Sequence, residues 1–295
     1  MNARAAAVDA KRPIATRGEG EATPLGNRPG VAIIDLPLIP AEMGIRLSAT
    51  TSEWNTDFYS PSHRHTFDQI RYVSSGRSKI GVQEAGPGDI AYIPEGAFYG
   101  PQTIIGSDPV KKYDIQIPGP TKQFYPIFSA QHAASAELRK TGTMEKGKYI
   151  RDGESIDSFE AIVRHITGSI PEYATPRVKQ AIVFNTGATE WRPAPGHDGV
   201  HVKFVACITE VGPNIKLVKL DEGAVFPGSV GSWDEVRFVV EGGVTYEGEA
   251  YPAPSGFFFP EDAAIPPMRG SPGGAVLMCV QVARHWSKAL PFMTV

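Results

Sequence analysis

Short runs of β-branched and aromatic residues, separated by glycine and proline, make up most of this sequence from Val31 onward. The first half contains VAIIDL, QIRYVSS and DIAYIP, and the second half contains VHVKFVACI, EVRFVVE and AVLMCVQVAR. Many short strands with frequent turn residues are typical of an all-β sandwich or barrel. We therefore predict that most of the chain forms antiparallel β-structure.

The pattern occurs twice, at a constant offset. The stretch from Pro61 to Pro101 aligns without a gap on the stretch from Pro227 to Pro267, an offset of 166 residues. Identical residues at matched positions include Asp68 with Asp234, Arg71 with Arg237, Val73 with Val239, and Gly76 with Gly242. A fixed offset held through a whole strand-and-turn unit indicates a duplicated domain.

Two segments break the strand pattern. Residues 1–30 are rich in Ala, Arg, Glu, Gly and Pro without apolar periodicity, which is typical of a mobile arm or a partner-clasping tail. Residues 129–175 contain AQHAASAELRKTG and SIDSFEAIVRHITG, whose apolar spacing favours helices. We expect a flexible arm at 1–30, a barrel at 31–128, a helical linker at 129–175 and a second barrel at 176–295.

Composition narrows the classes of partner. With 41% hydrophobic residues, 21% charged residues and a net charge of −3, the 295-residue chain shows no basic patch suited to nucleic acid. It has no apolar stretch suited to a signal peptide or a membrane span. The two cysteines, Cys207 and Cys279, lie in apolar runs, which suits a reducing cytoplasm but leaves a buried disulfide open.

The first copy carries two histidines within a longer spaced pattern. It contains Asp57-x5-His63-x-His65-x3-Gln69-x6-Gly76, followed by Gly88-x5-Pro94-x-Gly96-x2-Tyr99. These spacings resemble the two motifs of the cupin superfamily, G-x5-H-x-H-x3,4-E-x6-G and G-x5-P-x-G-x2-H-x3-N. The resemblance implies a bicupin: two tandem antiparallel β-barrels of the jelly-roll, or double-stranded β-helix, type, joined by the helical linker. A homodimer is expected on the same grounds.

The histidine pair has a physical meaning of its own. Residues at i and i+2 on a strand share one face, so His63 and His65 can converge on one divalent metal. If the alternation continues, Gln69, Arg71 and Val73 also point inward, while Ile70 and Tyr72 point to the other face. The pair could instead be a hydrogen-bonded structural pair.

The resemblance implies a third metal ligand at Gln69 and a fourth at Tyr99, where cupins have glutamate and histidine. Gln69 keeps a carbonyl oxygen without the charge, and Tyr99 binds a metal well only as phenolate. Tyr99 could also be an acid/base phenol, or an aromatic wall of the pocket with Phe58, Phe67 and Phe98. The expected cofactor is one divalent transition metal; Fe, Ni, Mn, Cu and Zn are not distinguished by these ligands.

Arg71 adds a cation to the predicted interior. It would favour an anionic or carbonyl-bearing ligand, so the expected small-molecule partner is anionic. The alternative is a structural salt bridge to Glu84 or Asp89.

The second copy lacks this chemistry. Ser229 and Gly231 replace the two histidines, and Ile265 stands where Tyr99 does. Glu235 and Arg237 could form an ion pair in place of the metal, or serve an interface. The barrel is expected to be metal-free and structural, with its apolar mass in Trp233, Phe238, Phe257, Phe258 and Phe259.

The remaining histidines give little indication of a further metal site. His197 and His201 have a metal-like spacing, but the nearby Pro193, Pro195 and Gly196 argue against a helix that would align them. Surface or helix positions are the simplest expectation for His132, His165 and His285.

These observations favour a metal-dependent small-molecule enzyme, and the resemblance favours a dioxygenase acting on an enolic, phenolic or carboxylate substrate. Arg71 would hold the substrate's negative charge and Tyr99 would move a proton. An isomerase or lyase using the metal as a Lewis acid, or a non-catalytic sensory bicupin, remains an alternative. No nucleic acid or membrane is expected as a partner.

Overall fold

The computed structural model describes residues 13–18, 21–24, 30–37, 48–119, 121, 126, 128–209 and 212–282. The chain divides into two compact units. The first, here the N-terminal unit, comprises residues 19–35 and 46–188. The second, the C-terminal unit, comprises residues 1–18, 36–45 and 189–295.

Strands dominate the described chain, as predicted. Up to residue 118 they are β1 Ile14–Arg17, β2 Thr23–Pro24, β3 Val31–Pro37, β4 Ser48–Trp54, β5 Tyr59–Ser60, β6 Phe67–Ser75, β7 Ser78–Ile80, β8 Gln83–Ala85, β9 Ile90–Ile93, β10 Gln102–Ile104 and β11 Val110–Pro118. The connecting region contains helix α1 Phe128–Leu138, strands β12 Thr143–Glu145, β13 Lys148–Arg151 and β14 Glu154–Asp157, and helix α2 Ser158–Thr167.

The remaining strands follow the connecting region. They are β15 Ile182–Phe184, β16 Arg192–Pro193, β17 Val200–Cys207, β18 Asn214–Leu220, β19 Val225–Phe226, β20 Ser229–Val230, β21 Asp234–Tyr246, β22 Glu249–Pro252, β23 Ser255–Phe259, β24 Ala264–Ile265 and β25 Met268–Val282. A short 3-10 turn spans Thr186–Ala188.

Each unit is built from antiparallel sheets. The N-terminal unit has a seven-stranded sheet in the order β15-β9-β6-β11-β4-β3-β2 and a four-stranded sheet in the order β5-β10-β7-β8. In the C-terminal unit one sheet follows the order β1-β23-β21-β25-β18-β17-β16, and β20 pairs with β24. This is the predicted jelly-roll architecture in both halves.

The duplication is visible in the backbone. β4 and β18 lie at the same 166-residue offset as the sequence repeat. Asp68 Oδ1 accepts the backbone N–H of Glu95 at 2.7 Å, and Asp234 Oδ1 accepts that of Glu261 at the same distance. The aspartate that both copies share therefore links the second motif of each copy to the strand that carries its inward arginine, β6 or β21.

The second copy has Asp262 where the first has the motif glycine Gly96, and the backbone conformation shows how the turn accommodates this change. Gly96 has a φ of 78°, and a Cβ there would lie 2.1 Å from the carbonyl oxygen of Ala174. Its counterpart Asp262 has a φ of 66°. Aspartate tolerates this left-handed conformation better than most residues. The turn of the second copy thus keeps its shape without glycine.

The sequence repeat places β1 with the first copy and β15 with the second, but each of these edge strands pairs in the unit of the other copy. β15 pairs with β9 in the N-terminal unit, although its residues were expected to begin the second barrel at 176. β1 pairs with β23, the counterpart of β9, in the C-terminal unit. Residues 14–17 are therefore a strand rather than part of a mobile arm. Arg17 holds it there, since its Nη2 contacts Glu249 Oε2 at 3.1 Å and its Nε donates to Ala250 O at 2.9 Å.

The linker contains both predicted helices and a three-stranded sheet, β12-β13-β14, that the helical pattern did not reveal. Asp157 caps α2 by accepting the N–H groups of Phe159 and Glu160, and Gly168 ends it in the left-handed conformation. None of the helices in the described ranges is long and apolar enough to cross a membrane.

Candidate functional site

The backbone brings the two motifs of the first copy together. His63 and Tyr99 form an isolated antiparallel bridge, in which His63 N donates to Tyr99 O at 3.1 Å and Tyr99 N donates to His63 O at 2.9 Å. Gly96 N donates to His65 O at 2.9 Å. These bonds fix the second motif against the histidine segment that precedes β6.

The side chains of this bridge converge on one point. The Tyr99 hydroxyl lies 2.9 Å from His63 Nε2 and 3.0 Å from His65 Nε2. All three side chains are buried. The predicted cluster of His63, His65 and Tyr99 is therefore present inside the N-terminal barrel.

The tautomer of His63 follows from its other ring nitrogen. Nδ1 lies 2.8 Å from the carbonyl oxygen of Pro61, which can only accept a hydrogen bond. In neutral His63 the proton is thus on Nδ1, and Nε2 presents a lone pair toward the Tyr99 hydroxyl. A backbone partner of this kind orients many metal-binding histidines.

Arg71 connects this cluster to the rest of the interior. Its Nη2 lies 3.3 Å from the Tyr99 hydroxyl and 2.8 Å from Gln69 Oε1, to which it donates. Nη1 donates to Gln102 Oε1, and Nε lies 3.0 Å from Asp114 Oδ1. Gln69 and Arg71 are inward, as the alternation predicts, and Val73 joins a buried cluster around Trp54 and Phe58.

The salt bridge predicted for a structural Arg71, to Glu84 or Asp89, is not present. Glu84 pairs instead with Arg77 at 3.0 Å, and Asp89 accepts the backbone N–H of Gly86 at 2.8 Å. Asp114 takes that place because β11 pairs with β6 with Asp114 directly opposite Arg71. A carboxylate distant in sequence is thereby placed on the inner face beside the arginine.

The donor set fits a divalent transition metal. Two imidazole Nε2 atoms meet at one oxygen, and imidazole with phenolate or carbonyl oxygen suits several first-row metals. Gln69 Oε1 accepts a hydrogen bond from the Arg71 guanidinium with one lone pair. The second lone pair of this oxygen would be the one available to a metal. In the described ranges no three side chains of histidine, cysteine, aspartate or glutamate are grouped for a metal, so a metal at the two histidines would need Tyr99 or Gln69 as a further donor.

The aromatic surroundings differ from expectation. Phe67 stacks on His65 with ring centroids 4.3 Å apart, and Phe159 of α2 lies 6.4 Å from the same ring. Phe58 packs on Trp54. Phe98, predicted as a pocket wall, is 59% exposed and lies under the Arg64 guanidinium instead.

The C-terminal barrel holds the predicted ion pair. Arg237 Nε lies 2.6 Å from Glu235 Oε1, and Gln281 Nε2 donates to Glu235 Oε2 at 2.7 Å. The Arg237 guanidinium also stacks over Phe226 at 4.2 Å. Around this pair the interior is filled by apolar side chains, including Val218, Phe257, Phe259, Ile265, Met268, Leu277 and Cys279. Such packing supports a structural role for this barrel.

The two cysteines are both free: Cys207 is exposed and Cys279 is buried. Burial raises the pKa of the Cys279 thiol to about 11. His201 lies 3.4 Å from Asp221, in the C-terminal unit.

A pH test follows for Glu235. Burial raises the pKa of its carboxyl, but the Arg237 and Lys216 charges and two hydrogen bonds outweigh burial and lower the pKa overall. A lowered pKa stabilises the fold above the ordinary glutamate value of about 4.3 and loses that contribution as the pH falls. Glu235→Gln should cost about 3 kcal/mol at neutral pH, and the difference from wild type should shrink below pH ~4 in denaturant unfolding. An unchanged stability at neutral pH, or a difference that widens on acidification, would contradict this.

Sequence reasoning missed Ser52, Gln102, Lys112 and Asp114. All four are buried polar residues of the N-terminal barrel interior. Polar Lys112, Asp114 and Gln116 alternate with Tyr113 and Ile115 in KKYDIQIP, and this inward polar face was the available indication.

The comparisons with known proteins agree with this architecture. Residues 179–283 match the family model described as the ChrR cupin-like domain. A search of curated proteins found no match. Among solved structures, a Nostoc punctiforme protein provisionally assigned as a dioxygenase is 13% identical, with 96% of this chain and 83% of that chain covered and a TM-score of 0.56.

Two further solved structures have the same fold. A point-mutant form of oxalate decarboxylase from Bacillus subtilis is 14% identical, with 88% of this chain and 74% of that chain covered and a TM-score of 0.54. The protein Ylba from E. coli is 10% identical, with 96% of each chain covered and a TM-score of 0.53. Residues 179–283 thus match a cupin-like domain, and the jelly-roll fold shared with these structures agrees with the cupin resemblance of the motif spacings in both units.

Proposed function

We propose that this protein is a metal-dependent enzyme, of the cupin dioxygenase type, that acts on a small enolic, phenolic or carboxylate substrate in the N-terminal barrel. The observation that carries the proposal is the convergence of His63 Nε2 and His65 Nε2 on the Tyr99 hydroxyl. The apolar filling of the other barrel supports a single working site.

The side chains divide the work as follows. His63 and His65 hold the metal, with Tyr99 and Gln69 as the oxygen donors beside them. When bound, the metal supplies Lewis-acid and redox chemistry. The Tyr99 hydroxyl, which lies beside both imidazole Nε2 atoms, can give a proton to the substrate or take one from it.

Arg71 stabilises negative charge on the Tyr99 oxygen, which lies 3.3 Å from its Nη2. Phe67 and Phe159 cover His65 with apolar surface and exclude water from that side of the site. The fold shared with a provisionally assigned dioxygenase and with an oxalate decarboxylase supports chemistry on small oxygenated acids.

Oxygen uptake is the test. Protein purified without chelator is assayed for metal content and then for oxygen consumption with a panel of enolic and phenolic acids. Tyr99→Phe should retain bound metal through the histidines and lose most turnover, by about 100-fold or more, because a positioned proton donor typically contributes 10²–10⁴-fold. Turnover that proceeds equally well without oxygen would replace the dioxygenase with an isomerase or lyase.

A non-catalytic sensory role is the second candidate. The match of residues 179–283 to the ChrR cupin-like domain favours it. In that case the metal-loaded protein should show ligand-induced thermal stabilisation without consuming any member of the panel.

A further inference from the structure

The two barrels of this chain provide an internal comparison. In both, an inward arginine lies on the first long strand, Arg71 on β6 and Arg237 on β21. β11 places Asp114 opposite Arg71, whereas β25 places Cys279 opposite Arg237. The arginine is retained, and its surroundings change.

Five of the changed interior positions run from polar to apolar. Cross-strand register and the repeat offset match Ser52 with Val218, Tyr99 with Ile265, Gln102 with Met268, Lys112 with Leu277, and Asp114 with Cys279. Polar interiors are costly unless their groups are paired. The barrel with the histidines therefore keeps polar side chains at these five positions, where the other barrel has apolar ones.

Two cations in this interior, Arg71 and Lys112, lie beside the carboxylate of Asp114. Asp114 Oδ1 lies 3.0 Å from Arg71 Nε, and Asp114 Oδ2 lies 3.6 Å from Lys112 Nζ and accepts from Ser52 Oγ at 2.9 Å. The Lys112 ammonium also lies 3.5 Å from the centre of the Trp54 ring. A buried ammonium such as that of Lys112 attracts negative charge on a bound group.

Gln102 adds a directed donor to this positive environment. Its side chain is 0% exposed, and its Oε1 accepts from Arg71 Nη1. That contact sets the amide orientation, because the guanidinium has only donors. The Nε2 group is buried and has no hydrogen-bond partner among the described residues. A buried N–H of this kind favours an acceptor on a ligand.

We propose that the interior of the N-terminal barrel contains a carboxylate-binding subsite, with Gln102 Nε2 as the hydrogen-bond donor and Lys112 as the residue that selects for negative charge. The subsite deepens the proposed function and rests on it in one respect, that the bound organic acid is the substrate of the histidine site. Arg71 is a positioning residue here: its nitrogens contact Tyr99, Gln69, Gln102 and Asp114, all of them protein groups.

The test measures binding of acetate and benzoate, with acetamide and benzamide as neutral analogues of matched shape, by titration calorimetry. Chelator-treated and metal-loaded proteins are both used. Wild type should bind the carboxylates and not the amides. Lys112→Leu and Gln102→Met, which install the residues of the second barrel, should each weaken carboxylate binding by about tenfold or more.

Matched variants separate charge from folding. Lys111→Leu removes a charge from the same strand, but this lysine is half exposed and pairs with Glu53, so carboxylate affinity should not change. Lys112→Arg retains the charge and should retain binding. Asp114→Asn removes the shared carboxylate and should tighten carboxylate binding severalfold.

The outcomes distinguish this subsite from the metal chemistry. Lysine-dependent carboxylate binding in chelator-treated protein supports the subsite even if no metal or turnover is found. Equal affinity of wild type, Lys112→Leu and Gln102→Met would overturn it, whether or not oxygen is consumed. Binding of the amides as tightly as the acids would also overturn it.

Discussion

Replacement of His63 or His65 by alanine is expected to abolish metal binding by the whole chain. Only at this place in the described structure do two imidazole Nε2 atoms meet, both within 3.0 Å of the Tyr99 hydroxyl. Removal of one imidazole leaves a single nitrogen with weak oxygen donors. Affinity should therefore fall by more than about 100-fold, beyond the loss that an outer-shell change causes. Elemental analysis of protein purified without chelator measures the effect.

His201→Ala is the matched control. His201 belongs to the other unit and lies beside Asp221 at 3.4 Å, so its removal should leave the metal content unchanged. Full metal occupancy in the His63→Ala, His65→Ala double variant would refute the assigned centre. It would also remove the basis of the proposed enzyme.

Phe257→Ala should destabilise the C-terminal unit by about 3–5 kcal/mol, as deletions of buried aromatic rings usually do. Phe257 is fully buried, and its ring lies 5.1 Å from that of Tyr246 and 4.9 Å from that of Tyr251. The free energy of unfolding from chemical denaturation measures the loss.

The variant should leave the metal content per folded chain unchanged, because the metal ligands belong to the N-terminal unit. Phe204→Ala in the same unit is the control: its side chain is 79% exposed, and the expected change is within about 0.5 kcal/mol. A loss for Phe257→Ala no larger than that of the control would argue against a packed structural barrel.

The repeat and the alternation of side chains were available from the sequence because both depend on spacing along one strand. They predicted a duplicated all-β domain, the inward direction of Gln69 and Arg71, and the convergence of His63 and His65, and the resemblance of the motif spacings to cupins added the antiparallel jelly roll. They also predicted the Glu235–Arg237 pair, whose members lie two residues apart on one face. Local periodicity determines these features before any tertiary contact forms.

Pairing between distant strands decided what the sequence left open. Asp114 rather than Glu84 or Asp89 became the partner of Arg71, because the register of β11 against β6 sets the neighbour of an inward side chain. The same register brought Lys112 into the interior, and the pairing of β10 with β5 and β7 placed Gln102. β15, whose residues were expected in the second barrel, belongs to the N-terminal unit, and β1 belongs to the C-terminal unit. Spacing along a strand determines which face a residue takes, but only the folded sheet determines which residue lies across from it.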